Sequence, residues 1–552
     1  ISYSLNIRVT QVDSHRTNTR ISCGAINVLK IMKKYTQLFL VIVVLAALVF
    51  YNIQTVCAFA GRYIYPLDDA YIHLSMARNF AEARTWGITQ HEFSSTTSSP
   101  LFTFLLALLI KIFGNWEYIP LVANSIAGVA LILVFNKYLK PFSVITRFVF
   151  LVALVVLMPL HLMIMTGMEH VFHSLAMVLV LLAFRKYLED KSPRHFSNLA
   201  LFSIIATGFR YESLFFIFFI CVYLFFVRKD YVISIVLGLF ALLPVFVYGY
   251  ISLDHGSFFL PNSLILKGNT NDGIAGFITR VAGNAYRGIS VLILVLILIV
   301  QIFRNFQTLK HSGYQSVRVA KNAVPFVVIA GFLVHLLFAN FGWLIRYEAY
   351  LVVLVLFAIA PFADGVFREK AGNSVFRYLM IGLLLITFYM RFITMIKYQP
   401  IASKNIFDQQ IQLADFVHQY YPESRIIAND IGAITYYNNV QLLDTYGLGS
   451  IEVARLRKND HGKFVDNKNL QTYIAKTAEN RNFDIALVFD EWVKMPDYFV
   501  KAGTLSINNN YICGGTTVSF YVVKKENADK LRKQLSDFSK QTPKDVTIKI
   551  AY

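Results

Sequence analysis

Two adjacent carboxylates, Asp68 and Asp69, stand at the start of a predicted helix that runs to about Ala83. An acidic residue at this position has an ordinary use, because its side chain can accept hydrogen bonds from the first backbone N–H groups of the helix. A carboxylate pair at a membrane surface can also act as a general base. The residues themselves leave both interpretations open.

Histidines near acidic residues raise the separate question of a metal site. Asp69 and His73 are four residues apart on one helix face, and His170 and His173 are three apart beside Glu169. Either group could hold a divalent cation, but two ligands do not complete a site. The sequence therefore requires no cofactor, and a divalent metal stays an open alternative.

The composition indicates a membrane protein. Of the 552 residues, 56% are hydrophobic and only 15% are charged, against roughly 25% charged in soluble domains. The formal net charge of +19 could suggest nucleic-acid binding. However, the Lys and Arg residues fall largely in short loops between apolar runs, which is the positive-inside pattern of multi-pass proteins. We therefore predict a multi-pass protein that contacts membrane lipids and binds no nucleic acid.

Eleven apolar segments are predicted to cross the membrane, since a span needs about 20 apolar residues. The segment Pro100–Phe113 is apolar but short and carries Lys111, so we predict that it lies in the outer interface or re-enters. This choice places every basic loop and the N-terminus in the cytoplasm, and the C-terminus outside. The predicted spans lie near 36–57, 118–137, 143–163, 168–187, 196–209, 211–228, 231–253, 287–304, 322–340, 344–364 and 376–396.

The composition changes after Lys397 to that of a water-soluble domain. Ile401–Tyr420 is predicted as an amphipathic helix, and short buried strands are predicted at Arg425–Ala428, Asp484–Phe489 and Thr517–Val523. Together they indicate a small α/β domain on the outer face.

Three regions are therefore predicted. Residues 1–31 are polar and aperiodic and precede Met32-Lys33-Lys34, so we interpret them as a disordered or non-native leader. Residues 32–398 form an α-helical polytopic transmembrane domain with a first outer loop at 58–117. Residues 399–552 form the extracytoplasmic α/β domain.

Several short motifs occur in a fixed order along roughly residues 36–450. The first outer loop carries DDAYI, ARN and SSPL at Asp68–Ile72, Ala77–Asn79 and Ser98–Leu101. TGME, GFRYE, FLPNSLILK, an Arg-Tyr pair and IANDIGAITYYNNVQLLDTYG follow at 166–169, 208–212, 259–267, 346–347 and 427–447. This order resembles that of GT-C membrane glycosyltransferases such as lipid A aminoarabinose transferases, protein O-mannosyltransferases and mycobacterial arabinofuranosyltransferases. One departure is Tyr211, which stands where relatives have proline.

The resemblance implies a GT-C type fold with about 11 transmembrane helices in the cell membrane. It implies a glycosyltransferase that moves a sugar from a polyprenyl-phosphate donor to a hydroxyl of a glycan, lipid or protein acceptor at the outer face. Asp68 would be the base and Asp69 would assist by binding the acceptor or a metal. Arg210, Lys267 and Arg346 would bind the donor phosphate, for which arginine is well suited. The implied substrate-cavity residues are His73, Glu169, His170, Glu212, Asn262 and Tyr347.

Each cation also has an ordinary alternative. Arg346 could snorkel to the interface, Lys267 could be a solvated loop charge, and Arg210 could form a structural salt bridge with Glu212. The alternative functions are an envelope polysaccharide polymerase or ligase, whose main loop should lie late in the chain, and a secondary transporter, which favours broken helices and inverted repeats. A sensor is a further alternative, but the cytoplasmic loops are short.

Overall fold

The computed structural model describes the backbone of residues 14–267, 273–311, 315–368, 374–459, 465 and 467–552. It describes the side chains of residues 36–266, 273–304, 323–364, 378–458, 465 and 467–552. Of the predicted leader, residues 1–13 lie outside the described part, and helix α1 begins within it, at Ser14.

Helices make up almost all of the first 420 residues. They are α1 (Ser14–Ala60), α2 (Asp68–Ala83), α3 (Pro100–Phe113), α4 (Ile119–Tyr138), α5 (Val144–Leu157), α6 (Leu160–Met165), α7 (His170–Glu189), α8 (Pro193–Phe209), α9 (Ser213–Val222), α10 (Tyr231–Asp254), α11 (Asn262–Lys267), α12 (Gly273–Arg287), α13 (Ile289–His311), α14 (Gln315–Phe338), α15 (Ala349–Arg368), α16 (Ser374–Phe388), α17 (Thr394–Ile406) and α18 (Gln412–Tyr420).

Each of the eleven predicted spans overlaps a helix, but α8, at the predicted span 196–209, is not among the apolar helices long enough to be counted as spans or as shorter apolar helices. Within the described residues, five helices are long and apolar enough to cross a membrane, and a sixth span results if α12 and α13, which meet at 79°, are counted together. Several of the other predicted spans are apolar helices of 10–17 residues. The predicted span 143–163 is interrupted between α5 and α6 at Pro159, a residue that lacks the N–H needed to continue a helix.

Helix α3 is a separate element, as predicted. Its 14 residues extend about 21 Å at 1.5 Å per residue, less than the roughly 30 Å of a bilayer core. Helix α4 begins beside Glu117, whose carbonyl oxygen accepts a hydrogen bond from Tyr65 of the first outer loop at 2.9 Å. Lys137 lies in its last turn, so Asp68 and Lys137 are at opposite ends of the helix bundle.

The predicted boundary between membrane domain and outer domain, at residues 398 and 399, falls inside a helix. Residues Tyr378–Tyr420 form one helical run of 43 residues, in which α16, α17 and α18 are joined by π-helical turns at Tyr389–Ile393 and Phe407–Ile411. The predicted amphipathic helix Ile401–Tyr420 is the last part of this run. The sequence suggested a boundary because the residues become more polar at this point. The helical hydrogen bonding of the backbone nevertheless continues through it.

The C-terminal residues form a six-stranded sheet in the order β2-β1-β3-β5-β4-β6. The strands β2, β1 and β3 are parallel, whereas β5, β4 and β6 are antiparallel. The predicted strands correspond to β1 (Arg425–Ala428), β3 (Ile485–Val488) and β5 (Thr517–Val522). The strands β2 (Gln441–Asp444), β4 (Val500–Ile507) and β6 (Val546–Ile550) were not predicted.

Helices α19 (Gly432–Tyr437), α20 (Ile451–Asn459), α21 (Lys468–Asn480) and α22 (Ala528–Phe538) complete this domain. The sheet buries one face under α18 and α22, where the Phe416 ring packs 5.2 Å from Phe520 and 5.3 Å from Phe538. Full burial of such a side chain is worth roughly 1.5–3 kcal/mol.

The outer domain docks on the first outer loop through α2 and α19. The guanidinium group of Arg78 donates hydrogen bonds to the carbonyl oxygens of Thr435 at 3.1 Å and Tyr436 at 2.5 Å. These carbonyls lie at the end of α19, where they lack partners within the helix. The contact fixes the second half of α2 against the outer domain.

Candidate active site

A cavity of about 680 Å³ lies between the start of α2, the loop before α15 and the outer domain. Its walls combine acidic and aromatic side chains, as is usual for a site that binds polar ligands. The acidic side chains are Asp68, Asp69, Asp430 and Glu491, and the aromatic ones are Phe341, Trp343, Tyr347, Tyr446 and Trp492.

Asp68 accepts hydrogen bonds from another helix rather than from its own. The N-cap of α2 is Leu67, which makes no side-chain cap. The two carboxylate oxygens of Asp68 accept hydrogen bonds from the backbone N–H groups of Gly432 at 2.7 Å and Ala433 at 2.8 Å, at the start of α19. Burial raises the pKa of Asp68 to about 6, although the two amides oppose the shift.

Gly432 is required by this contact. A Cβ atom at this position would lie 2.3 Å from the carbonyl oxygen of Asp68 and 2.7 Å from its carboxylate. A side chain would therefore push α19 away from the start of α2.

Asp69 is paired with Arg346. One guanidinium nitrogen of Arg346 lies 2.5 Å from the Asp69 carboxylate and donates a second hydrogen bond to the Tyr347 hydroxyl at 3.1 Å. The Arg346 side chain is only 2% exposed. Its Nε and Nη1 atoms have no hydrogen-bond partner among the described residues. A buried guanidinium with unused donors is costly, and it is suited to receive an anionic ligand.

Arg210, at the end of α8, lies near the same aromatic ring as Arg346, that of Tyr347. Its guanidinium lies 5.5 Å from the centroid of Tyr347, and that of Arg346 lies 4.9 Å from it. Arg210 also pairs with Glu169 at 2.6 Å and Glu212 at 2.5 Å. Two of the three predicted phosphate-binding residues are thus brought together, and the side chain of the third, Lys267, lies outside the described residues.

His73 and Asp69, one of the two groups left open as metal ligands, bind different partners. The Nδ1 atom of His73 lies 2.9 Å from the Thr103 hydroxyl, and its Nε2 atom faces Glu169 at 3.5 Å. Asp69 is instead bound by Arg346. Burial lowers the pKa of His73, so its ring is mostly neutral at physiological pH.

The other predicted ligand set is also divided. Glu169 is bound by Arg210, and the Nε2 atom of His173 bonds to the Ser213 hydroxyl at 2.8 Å. The His170 ring lies 6.3 Å from Tyr347, and its Nε2 atom has no partner among the described residues. In the described part of the chain, no three His, Cys, Asp or Glu side chains are arranged to hold a metal.

The predicted cavity residues therefore occupy two layers. Asp68, Asp69 and Tyr347 line the cavity, and Arg346 lies against them. The next layer contains Glu169, Arg210, Glu212, His73 and His170. Asn262 does not line the cavity, but its side chain donates a hydrogen bond at 3.0 Å to the carbonyl oxygen of Leu448, a lining residue, and joins α11 to the outer domain.

Asp430 was missed by the sequence reasoning. It lines the cavity and accepts a hydrogen bond from Gln410 at 2.7 Å. Burial raises its pKa well above the ordinary range, and the negative charges of Asp68 and Asp69 add to the shift. A signal was present: Asp430 follows β1 by two residues, and ligands of α/β sheets bind beyond the carboxyl ends of parallel strands.

The same rule accounts for the aromatic wall. Tyr446 follows β2, and Glu491 and Trp492 follow β3, so all three parallel strands end at the cavity. The rings of Tyr446 and Trp492 lie 5.3 Å apart. Asp444 holds this loop by accepting hydrogen bonds from the backbone N–H groups of Tyr446 and Gly449, both at 2.7 Å.

The loop that carries Arg346 is held by a buried ion pair. Trp343, Leu344 and Ile345 have positive φ angles of 52°, 61° and 50°, which cost L-residues roughly 1–2 kcal/mol each. Glu348 accepts a hydrogen bond from the backbone N–H of Gly342 at 3.0 Å and lies 3.5 Å from Arg391 of the long helical run.

Two family models match the chain, one over the helical part and one over the C-terminal domain. Residues 70–405 match the EpsG family, and residues 404–521 match a domain of unknown function, DUF8728. No curated protein matches the sequence.

Solved structures share the fold across most of the chain. ArnT from Cupriavidus metallidurans bound to undecaprenyl phosphate is 12% identical with a TM-score of 0.51, and the match covers 88% of this chain and 98% of ArnT. The apo oligosaccharyltransferase of Archaeoglobus fulgidus is 10% identical with a TM-score of 0.50, covering 93% and 76% respectively.

These two neighbours confirm the predicted fold, which this chain shares with ArnT and with the archaeal oligosaccharyltransferase. The EpsG match extends over more than half of the sequence, and the chain belongs to the EpsG family.

Proposed function

We propose that the chain is a glycosyltransferase that moves a sugar from a polyprenyl-phosphate donor to an acceptor hydroxyl at the outer face of the cell membrane. The observation that carries the proposal is Arg346, a buried guanidinium with unused donors beside a cavity that also contains carboxylates. A solved protein of the same fold, ArnT, contains undecaprenyl phosphate.

In this proposal Arg346 and Arg210 bind the phosphate of the donor. The Nε and Nη1 atoms of Arg346 are free to donate to phosphate oxygens, and charge-assisted bonds of this kind are strong. Arg210 is held beside it by Glu169 and Glu212. Asp69 then positions Arg346, which differs from its predicted role in binding the acceptor or a metal.

Asp68 remains our proposed base. The acceptor oxygen forms a bond to the anomeric carbon while the bond from that carbon to the phosphate oxygen breaks. The electron pair leaves with the polyprenyl phosphate, and the acceptor proton passes to the carboxylate. With a pKa of about 6, Asp68 is largely ionised at neutral pH yet basic enough to take a proton. Each carboxylate oxygen of Asp68 has a second lone pair, besides the one that accepts a hydrogen bond from a backbone N–H group.

The outer domain supplies the acceptor side of the cavity. Tyr446 and Trp492 offer an aromatic surface and Asp430 and Glu491 offer hydrogen-bond acceptors. These groups suit the hydroxyl-bearing acceptors expected from the sequence, whether glycan, lipid or protein.

We propose that this domain is extracytoplasmic. The support is that Lys137 and Asp68 lie at opposite ends of the bundle, so the basic loops and the cavity face different sides. A reporter that is active only outside the cytoplasm, fused after Tyr552, should be active. Activity of a cytoplasmic reporter at that position would reverse the orientation.

The second candidate is an envelope polysaccharide polymerase or ligase. The same cavity could add repeat units to a growing chain, because the donor chemistry at the phosphate is unchanged. Product length separates the two: one sugar added per acceptor indicates a transferase, and a ladder of products indicates a polymerase. The cavity with its charged walls at one end of the bundle gives no support to a transporter.

The test of phosphate binding uses the full-length protein in nanodiscs. Undecaprenyl phosphate and uncharged undecaprenol are titrated into the wild type and Arg346→Met. We expect the variant to bind undecaprenyl phosphate roughly 10–100-fold more weakly, the range of a lost hydrogen bond to a charged group, with undecaprenol binding unchanged.

Arg455→Met is the matched control, because Arg455 is an exposed arginine of the outer domain that does not line the cavity. Thermal unfolding checks that Arg346→Met is folded. Undecaprenyl phosphate binding by Arg346→Met at the wild-type affinity would refute the proposed phosphate site.

A further inference from the structure

A second cavity, of about 810 Å³, lies at the end of the helix bundle opposite Asp68. Its walls come from the ends of α4 and α7, the start of α8, and from α14 and α15. It is remote from the candidate active site, because the 20-residue helix α4 separates the two ends by about 30 Å.

The mouth of this cavity is cationic. Lys137 is in the last turn of α4, and Arg185 and Lys186 are near the end of α7. Glu189 is the one carboxylate among its described lining residues, and it lies 3.8 Å from Arg185. Two cations are therefore left without an acidic side chain in the described wall.

Arg185 is held in place by an aromatic stack. Its guanidinium lies 5.2 Å from the centroid of the Tyr138 ring. Tyr138 stacks on Phe357 at 3.8 Å and donates a hydrogen bond to the Phe357 carbonyl oxygen at 2.8 Å. Tyr138 and Phe357 thus hold the guanidinium group of Arg185 in one position at the mouth of the cavity.

The interior of this cavity is apolar. Leu179, Leu182, Phe202, Val324 and Phe357 line it. An inorganic ion would gain nothing from such a wall, whereas the acyl chain of a lipid would find an apolar surface there and pack against it as it does in the bilayer.

We propose that this cavity binds an anionic phospholipid of the adjacent leaflet, with its phosphate among Lys137, Arg185 and Lys186 and an acyl chain against the apolar wall. Basic pockets between transmembrane helices recognise lipid head groups in this way. The proposal does not depend on the proposed catalytic function.

The experiment follows the full-length protein in detergent after adding phosphatidylglycerol, phosphatidylcholine, undecaprenyl phosphate or inorganic phosphate. Native mass spectrometry measures bound lipid and a thermal scan measures the unfolding midpoint. We expect a one-to-one adduct with phosphatidylglycerol that raises the midpoint. Zwitterionic phosphatidylcholine and inorganic phosphate should have little effect. Undecaprenyl phosphate, which the proposed active site binds at the other end of the bundle, should form an adduct that does not depend on Lys137 and Lys186.

The variant Lys137→Gln/Lys186→Gln should bind phosphatidylglycerol more weakly than the wild type, by up to about tenfold. Each of the two cations contributes to the attraction of an anionic head group. Both lysines are exposed, so the fold should be unaffected. The control Lys140→Gln removes an exposed lysine at the same end that does not line the cavity and should leave binding unchanged.

Equal adducts with phosphatidylglycerol and phosphatidylcholine would overturn the proposal, as would equal losses in the double variant and Lys140→Gln. Binding of undecaprenyl phosphate or of inorganic phosphate that the double variant weakens as much as it weakens phosphatidylglycerol would assign the cavity to another ligand and overturn the proposal as well.

Discussion

The two ends of the helix bundle treat charge in opposite ways. At the end that carries Asp68, Arg210 lies 2.6 Å from Glu169, and their side chains are 8% and 0% exposed. At the other end, Arg185 lies 3.8 Å from Glu189, and these side chains are 33% and 58% exposed. The Arg210–Glu169 pair is buried and tight, whereas the Arg185–Glu189 pair is open to solvent.

The difference teaches which charges do chemistry. Water screens an exposed pair and makes it worth little, so such cations serve orientation in the membrane and attraction of lipid. A buried pair is a fixed arrangement, because removing either partner leaves an uncompensated charge. Three predictions test this contrast, beginning with the largest effect.

The largest effect is expected in catalysis. Asp68→Asn should lower turnover by roughly 10²–10⁴-fold, because the amide cannot take the acceptor proton. Asp364 is the matched carboxylate at the other end, where it accepts hydrogen bonds from the Ser143 backbone N–H and the Thr146 hydroxyl, both at 2.8 Å. Asp364→Asn should leave turnover near the wild-type value. Sugar transfer by the purified protein measures both.

The contact of Asp68 with the outer domain must be separated from its role as base. Gly432→Ala keeps the carboxylate but forces a Cβ against it. If Asp68 were only a contact between domains, the two variants would lose activity and thermal stability together. A base instead predicts that Asp68→Asn loses more activity, and less stability, than Gly432→Ala.

A smaller effect is expected in folding stability. Glu169→Gln should lower the free energy of unfolding by about 3 kcal/mol, near the low end for a broken buried pair, because Arg210 retains Glu212. Glu189→Gln should change it by less than about 0.5 kcal/mol, as for exposed helix pairs. Unfolding in mixed detergent micelles compares the two variants. Equal losses would show that burial does not distinguish the two ends.

The smallest effect concerns pH. Because the pKa of Asp430 is raised in the folded protein, the unfolded chain releases this proton first as the pH rises. Stability should therefore fall above the unfolded pKa of about 3.9 until the folded pKa is passed. Asp430→Asn removes this loss, so its unfolding midpoint should exceed that of the wild type by a margin that grows as the pH rises above about 4.5. Parallel curves would show that the Asp430 carboxyl does not cause this loss.

Local patterns were sufficient to predict most helices and three strands. Apolar runs predicted the spans, and the buried strands β1 and β3 were visible as short runs such as Ile426-Ile427 and Ile485–Val488. The strand β6 was missed because its alternating polar residues are exposed at the edge of the sheet, and β4, which lies between β5 and β6, was missed because polar residues also alternate along it. Arg346 was identified as a candidate, but its pairing with Asp69 joins residues 277 positions apart, which no local pattern encodes.

The same limit explains the interpretation of Asp68. Its position at the start of α2 indicated a cap of that helix, and the structure uses it at α19, 364 positions later in the sequence. Asp430 and Trp492 were missed because their role depends on strand order. Once β2, β1 and β3 are known to be parallel neighbours, their carboxyl ends identify the cavity wall.

The helical run Tyr378–Tyr420 has a mechanical consequence. Its 43 residues extend about 65 Å, so the outer domain is mounted on a stiff lever that is rooted in the membrane. This continuous helix therefore excludes free rotation of the outer domain about a flexible linker at that connection. Any opening of the cavity to admit a substrate must bend the lever, and the two π-helical turns are where its hydrogen bonding is already irregular. Tension on the membrane would be transmitted by the same route to the Asp430 wall.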